Sequence, residues 1–191
     1  MHLSNKNNSF TGGNYSKEKI CKANLSLCQD FFVDSNKCTK HEYYETYLKQ
    51  TAYRDMEDGL GITYLYIDND LHTGAKKIMG YITLRFSSLI KDMGDKKKYG
   101  YPALEISELA VSKSYSSSGV GTDMVMDAIN MAEEINNQIS IKYIVLCADP
   151  DAVGFYTRSI LGFKRIDIHF GDDIPREHCN IDCVPLYLKL R

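Results

Sequence analysis

The chain reads as an α/β fold whose mixed sheet is organised around one strand, turn, helix and strand unit. Three observations predict it. Leu104 to Val111 is a nearly continuous apolar run interrupted by Glu105, Ser107 and Glu108, as a central strand would be. The polar turn Lys113 to Thr122, ending in Gly119-Val120-Gly121, leads into a helix with Val120, Met124, Ala128, Ala132 and Ile135 along one side. Lys142 to Cys147 then returns as a second short buried strand, parallel to the first if the helix between them is a right-handed crossover.

The 191 residues suit one domain, spanning 17–191 after a polar arm over 1–16 in which Asn, Ser and Gly are prominent. Lys19 to Val33 is expected to contain the first strand. Thr39, with Glu42 three residues on, predicts a capped helix from Lys40 to about Asp58, closed by Gly59. Its Tyr43, Tyr44, Tyr47, Leu48 and Tyr53 are read as core packing in preference to a ligand-binding stripe. Ile62 to Asp68 and Lys77 to Phe86 alternate as strands and form a hairpin across Asp70 to Ala75. Ser87 to Pro102, with Lys96, Lys97 and Lys98, reads as a long connection. Ala152 to Leu161 reads as a short helix. Gly162 to Ile166 and Val184 to Leu190 read as paired terminal strands around a surface loop at Asp172 to Asp182.

Composition narrows the function. A formal net charge of −2 gives no global basic field to recruit nucleic acid. No apolar run approaches the roughly 18 residues of a membrane helix. Residues 1–14 are polar where a secretory signal needs an apolar segment, so the six cysteines are expected to be reduced thiols of a cytoplasmic protein. His178, Cys179 and Cys183 are the closest approach to a metal cluster. They lack a fourth ligand at usable spacing, so no metal is expected.

The chemistry enters at the glycine turn. The first amides of a helix have no carbonyl partner, and the helix dipole places partial positive charge there. Gly119 and Gly121 let an anion approach the backbone, and Ser116, Ser117, Ser118 and Thr122 add hydroxyls, so the turn reads as a diphosphate site. A P-loop would need a lysine after Gly121. A dinucleotide fingerprint would need a third glycine near Met124 and an acidic residue where Lys142 and Tyr143 stand.

Strand, Gly-x-Gly turn, helix, strand, and a helix containing Phe155-Tyr156 that ends in Gly162-Phe163 together resemble the GNAT superfamily of N-acetyltransferases, over roughly 77–189. Leu109-Ala110-Val111 looks like that family's acetyl-CoA strand. Ser116 to Gly121 looks like its Gln/Arg-x-x-Gly-x-Gly/Ala loop, with Ser116 in place of Gln or Arg. Asp149 to Phe163 looks like its Asn-x-x-Ala-x-x-Phe-Tyr stretch, with Asp149 for Asn and two extra residues before Gly162 that would lengthen the helix. The resemblance implies a GNAT fold: a mixed, mostly antiparallel twisted sheet with helices on both faces and a splayed parallel strand pair. It also implies acetyl-CoA as co-substrate, held by Leu109, Ala110, Val111, Ser116, Ser117, Ser118, Gly119, Val120, Gly121, Thr122, Asp149 and Phe155.

The implied reaction is direct attack of a primary amine on the thioester. It needs an oxyanion site from backbone amides near Leu109 to Val111, an acid for the leaving sulfur in Tyr156, and a base in Glu108 or, less favoured, Glu105. Their odd separation places the two glutamates on opposite faces of a regular strand. The acceptor is expected to be a small-molecule or peptide amine, walled by the first helix and the 87–102 connection, on a monomer or homodimer. The stretch Gly80 to Leu84 also looks distantly like acetyltransferase toxins acting on aminoacyl-tRNA, a reading the acidic balance disfavours. A non-catalytic CoA-binding module is the remaining alternative.

Overall fold

The computed structural model describes residues 15–69, 74–92, 97–166 and 182–191. Most of the expected arm, the hairpin turn, Lys96, the 172–181 loop and the pair His178 and Cys179 lie outside the described residues.

Seven strands form one sheet: β1 (Tyr15–Lys19), β2 (Ile62–Asn69), β3 (Lys76–Asp92), β4 (Lys98–Val111), β5 (Tyr143–Ala148), β6 (Lys164–Arg165) and β7 (Val184–Lys189), in the spatial order β1-β2-β3-β4-β5-β7-β6. Every neighbouring pair is antiparallel except β4 and β5, which run parallel as the crossover required. One face carries α4 (Val120–Asn136) and α5 (Val153–Thr157). Val120, Met124, Val125, Ala128 and Ala132 of α4 pack there on Tyr66, Ile82, Leu104, Ile106, Ile144 and Leu146. The opposite face carries α1 (Leu25–Cys28), α2 (His41–Thr46), a π-helical turn (Tyr47–Thr51) and α3 (Ala52–Glu57). On that side Cys28, Phe31, Leu48 and Ala52 cover Leu65, Ile67, Ile78, Tyr81 and Ala110. Each face thus buries its own apolar layer, which is where most of the fold's stability comes from.

Several expectations shift. The first strand is Tyr15–Lys19, not within 19–33, because Asn24 folds the next segment into a turn. Its amide donates to the Lys19 carbonyl at 3.0 Å while its Oδ1 accepts from the Cys21 N–H at 2.8 Å. Thr39 does not cap the following helix. Lys40 holds the cap position, and no side chain bonds the helix start. The helix does close at Gly59, and the Leu60 N–H reaches back to the Asp55 carbonyl at 2.8 Å. The 87–102 connection is not a loop: β3 and β4 stay paired out to Asp92 and Lys98. The two extra residues before Gly162 do not lengthen α5, which ends at Thr157. They form a turn closed by the Gly162 N–H on the Arg158 carbonyl at 2.9 Å. Cys147 and Cys183 are not reduced but joined in a disulfide, because pairing of Ala148 with Val184 brings the two chains within reach. Among the described residues no helix is long and apolar enough to cross a membrane, and no group of side chains could hold a metal.

The decisive irregularity is in β4. Leu84 pairs with Ile106 and Thr83 with Glu108, so Ser107 is an extra residue, a β-bulge. The core clusters carry the same reversal of phase. Leu104 and Ile106 face the α4 side and so do Leu109 and Val111, whereas Ala110 lies against the α1 to α3 side. Glu105 and Glu108 therefore pair with Arg85 and Thr83, two residues apart on β3, and share a face. The expected opposite facing fails because an inserted residue shifts the period-two alternation by one.

Gly80 has a packing reason. A Cβ there would sit 2.9 Å from the Ala110 carbonyl oxygen and 2.9 Å from the tip of Met124. Met124 can yield, but the backbone oxygen cannot. Gly80→Ala is expected to destabilise the protein by about 1 to 3 kcal/mol, read as a lower urea midpoint at unchanged slope.

Candidate active site

β4 and β5 pair over only four residues, ending at Ile106 and Leu146. Beyond that point the strands separate, and the β5-facing backbone of β4 from Ser107 onward has no ladder partner on that side. The opening is a cavity of about 350 Å³ lined by Ile106, Leu109, Ala110 and Val111 of β4 and by Leu146, Cys147 and Ala148 of β5. Tyr156 and Phe155 of α5 complete the lining together with Ser116 and Gly121, and Gly121 lies against the Phe155 ring.

Ser116 belongs to the turn before α4 and Gly121 to the first turn of that helix. Gly119 occupies the N-cap position at φ 96°, the left-handed region that favours glycine. Among the described residues the N–H groups of Gly119, Val120 and Gly121 have no acceptor within the protein. Ser118 donates its hydroxyl to the Tyr115 carbonyl at 2.6 Å and so braces the turn. Val120 is buried in the core and contributes its backbone alone. Thr122 accepts from Arg158 at 2.6 Å, and the Arg158 guanidinium also lies 4.4 Å from the centre of the Phe155 ring. Lys37, from the segment before α2, donates to the hydroxyls of Ser116 at 2.9 Å and Ser117 at 3.1 Å.

On the other side of β4 lies a second cavity of about 510 Å³. Tyr43, Tyr47, Thr51 and Asp55 from the helical segments, Thr83 and Arg85 from β3, and Ser107 and Glu108 from β4 line it. Tyr43 and Tyr47 are therefore cavity residues more than core, whereas Leu48 and Ala52 bury fully. A π-helical turn between α2 and α3 shifts which residues of the run face the sheet, a feature frequent at functional sites. Ser107 lines both cavities, so the bulge is their meeting point.

Glu108 and Tyr156 stand on the two sides of that point. The Tyr43 hydroxyl donates to Glu108 Oε1 at 2.7 Å. Loss of solvent raises the Glu108 carboxyl to about 7, against the lowering effect of the Tyr43 hydrogen bond and the Arg85 charge. Glu105 is taken by Arg85, with 2.6 Å between Nη2 and Oε1, and lines neither cavity. Tyr156 is buried, and burial together with the nearby Asp149 and Glu108 charges pushes its phenol well above the usual range. Among the described residues its hydroxyl has no hydrogen-bond partner, unlike that of a tyrosine satisfied in a core. Asp149 lines the first cavity, but its oxygens accept from Lys40 at 2.7 Å and Tyr44 at 2.9 Å, so it ties α2 to the end of β5.

The model of the acetyltransferase (GNAT) family matches residues 26–163. The chain belongs to that family. As a GNAT protein it is an acetyltransferase with acetyl-CoA as co-substrate. No curated protein sequence matches the chain. Among solved structures, a tyrosine-to-phenylalanine mutant of the AtaT toxin is 18% identical with a TM-score of 0.70, covering 96% of this chain and 95% of that one. AtaTR bound with acetyl-CoA is 20% identical at 0.67, over 92% and 93%. AtaT complexed with acetyl-methionyl-tRNAfMet is 18% identical at 0.66, over 90% and 94%. At these identities the likeness is one of fold, and the sheet, its parallel pair and the flanking helices are those of a GNAT protein.

Sequence reading missed Lys37, Tyr43, Arg158 and the Lys40-Asp149-Tyr44 cluster. Two lysines three apart before a helix, and a tyrosine one turn into it, look like solvated surface and core until β4 and β5 are known to part beside them. Gly121 sits where an added Cβ would meet Phe155 and Val111 at 3.4 Å, in ordinary contact and pointing between turn and cleft. Gly121→Glu is expected to leave the far-ultraviolet circular dichroism unchanged and weaken CoA binding about tenfold or more, measured by calorimetry, through like-charge conflict with phosphate. Unchanged affinity would remove the turn from the donor site.

Proposed function

We propose that the enzyme N-acetylates a primary amine that enters through the Tyr43 and Tyr47 cavity and meets the thioester at the Ser107 bulge. The single observation that carries this reading is the shared wall: donor-side and acceptor-side cavities touch at Ser107, with Glu108 on one side and Tyr156 on the other. The turn from Ser116 to Gly121 holds the diphosphate of acetyl-CoA. The pantetheine arm lies between β4 and β5, where unpaired β4 amides near Leu109 to Val111 receive the acetyl oxygen.

The amine nitrogen attacks the carbonyl carbon, the C–N bond forms and the C–S bond breaks. Glu108, directly or through water, takes the proton that the amine must lose. A carboxyl poised near 7 can accept and release that proton close to neutral pH. Tyr156 gives its proton to the departing thiolate. Its raised phenol keeps that proton at neutral pH, and its open hydroxyl is free to donate it. Glu105 acts through Arg85, which it holds beside Glu108. Asp55 and Glu108 make the acceptor wall acidic, which suits a protonated amine arriving from water. The cytoplasm, with its acetyl-CoA, is the compartment this reading implies.

A second reading is favoured by a specific observation. The fold likeness to the toxin structures runs over 90% or more of this chain, and one of those proteins is seen with acetyl-methionyl-tRNAfMet. The α-amine of an aminoacyl ester is also a primary amine, so the same machinery would serve. Thiol release from acetyl-CoA, followed with a panel of small amines, basic peptides and charged tRNA, separates the readings. Turnover with free amines supports the first. Turnover with charged tRNA alone replaces it with the second. Tight CoA binding with no turnover on any acceptor makes the chain a binding module.

Two variants test the assigned roles. Tyr156→Phe is expected to lower kcat by about a hundredfold or more with the KM for acetyl-CoA little changed. Because the active form of Glu108 is deprotonated, kcat/KM should rise with pH through a limb near 7. Glu108→Gln should lower the rate and remove that limb. A limb that persists in the variant would assign the base elsewhere.

A further inference from the structure

Between Ser114 and Asp123 the donor turn contains no lysine or arginine of its own, and Arg158 reaches only its last residue, on Thr122 at 2.6 Å. A second cation arrives at its start from a distant part of the sequence. The Lys37 ammonium contacts the hydroxyls of Ser116 and Ser117, and its side chain lines the donor cavity.

This placement is held by backbone. The Lys113 N–H donates to the Phe32 carbonyl at 2.7 Å, and Val33 bridges Ser112. The segment leading to Lys37 is thereby attached to the end of β4, immediately before the donor turn. The next lysine along, Lys40, is neutralised by Asp149 at 2.7 Å. Lys37 has no carboxylate within ion-pair distance among the described residues. The nearest acid in its own turn, Asp34, has one oxygen on the Asn36 N–H at 3.2 Å. A charged ammonium thus rests on two neutral hydroxyls, beside three N–H groups that lack acceptors. A hydroxyl that accepts from an ammonium can still donate its own proton. Ammonium, hydroxyls and amides together present donors and positive charge to one anion.

We propose that Lys37 is a donor-binding residue that grips the diphosphate of acetyl-CoA, supplying from the segment before α2 a cation at the Ser116 and Ser117 end of the donor turn. The inference rests on the reading of that turn as the diphosphate site. Lys37 touches a part of the donor that does not change during acyl transfer. Its contribution belongs to ground state and transition state alike, and so appears in KM rather than kcat.

The experiment compares Lys37→Ala and Lys37→Arg with the unaltered protein, using CoA, dephospho-CoA and pantetheine in calorimetry, and acetyl-CoA and acetyl-pantetheine in kinetics. Lys37→Ala is expected to weaken CoA and dephospho-CoA alike by about tenfold, to raise the KM for acetyl-CoA with kcat unchanged, and to leave acetyl-pantetheine kinetics unaltered. Lys37→Arg should recover most of the affinity. Normal CoA binding by Lys37→Ala, or an equal loss with acetyl-pantetheine, overturns the role of Lys37 while leaving the donor site standing. A loss for CoA but not for dephospho-CoA moves the contact to the 3′-phosphate and overturns the assignment to the diphosphate. Failure of the unaltered protein to bind CoA would overturn the donor-site reading itself.

Discussion

One separation of strands organises this molecule. Two parallel strands pair for four residues and then part, and at the parting point β4 takes in an extra residue, Ser107. Each half of that event needs the other. Without the divergence the β4 backbone after Ile106 would be paired with β5 and no cavity would lie between them. Without the bulge, Glu108 would project on the same face as Leu104 and Ile106, toward α4, instead of into the cavity walled by α2 and α3. Divergence opens the first cavity, and the bulge brings Glu108 into the wall of the second while keeping Leu109 and Val111 in the lining of the first.

The part of this arrangement that local pattern encodes was legible in the sequence. Gly119 and Gly121 after an apolar strand identify the turn and the start of α4, and the alternation over Ile62 to Asp68 and Lys77 to Phe86 identifies β2 and β3. Tyr156 was recoverable because it sits in a motif with Phe155 and Gly162. Non-local features were not legible. Nothing near Ser107 announces a bulge, since the insertion is defined only by register with β3, and so the two glutamates were given the wrong relative facing. Lys37 and the Lys40-Asp149-Tyr44 cluster join residues more than 70 positions apart. The Cys147–Cys183 bond depends on β7 lying beside β5, which no cysteine spacing reveals. The extension of β3 and β4 past Ser87 was missed because its polar, lysine-containing residues carry a weak strand pattern.

The tyrosines make physical sense only in three dimensions. Tyr43 stacks near Tyr47, with ring centres 6.5 Å apart, and Tyr47 stacks near Tyr81 at 6.2 Å, while the Tyr81 hydroxyl donates to the Tyr44 carbonyl at 2.9 Å. A phenol supplies apolar surface toward the sheet and a polar tip toward a cavity, so one residue type both packs the helical layer and lines the wet side of it. The π-helical turn places Tyr47 and Thr51 at the wall while Leu48 and Ala52 stay buried, which lets the segment serve core and cavity at once.

The covalent link between Cys147 and Cys183 bears on how such a crevice breathes. It fastens the far wall, β5, to β7, and β7 is itself laced to β5 along six residue pairs. The strap from Phe32 to Lys40 has no such seam: a single bridge and one backbone hydrogen bond hold it to the end of β4, and side chains tie it to the donor turn through Lys37 and to the end of β5 through Lys40. The two walls are therefore unequally fastened: β5 covalently and along its whole length, the strap at a few separate points.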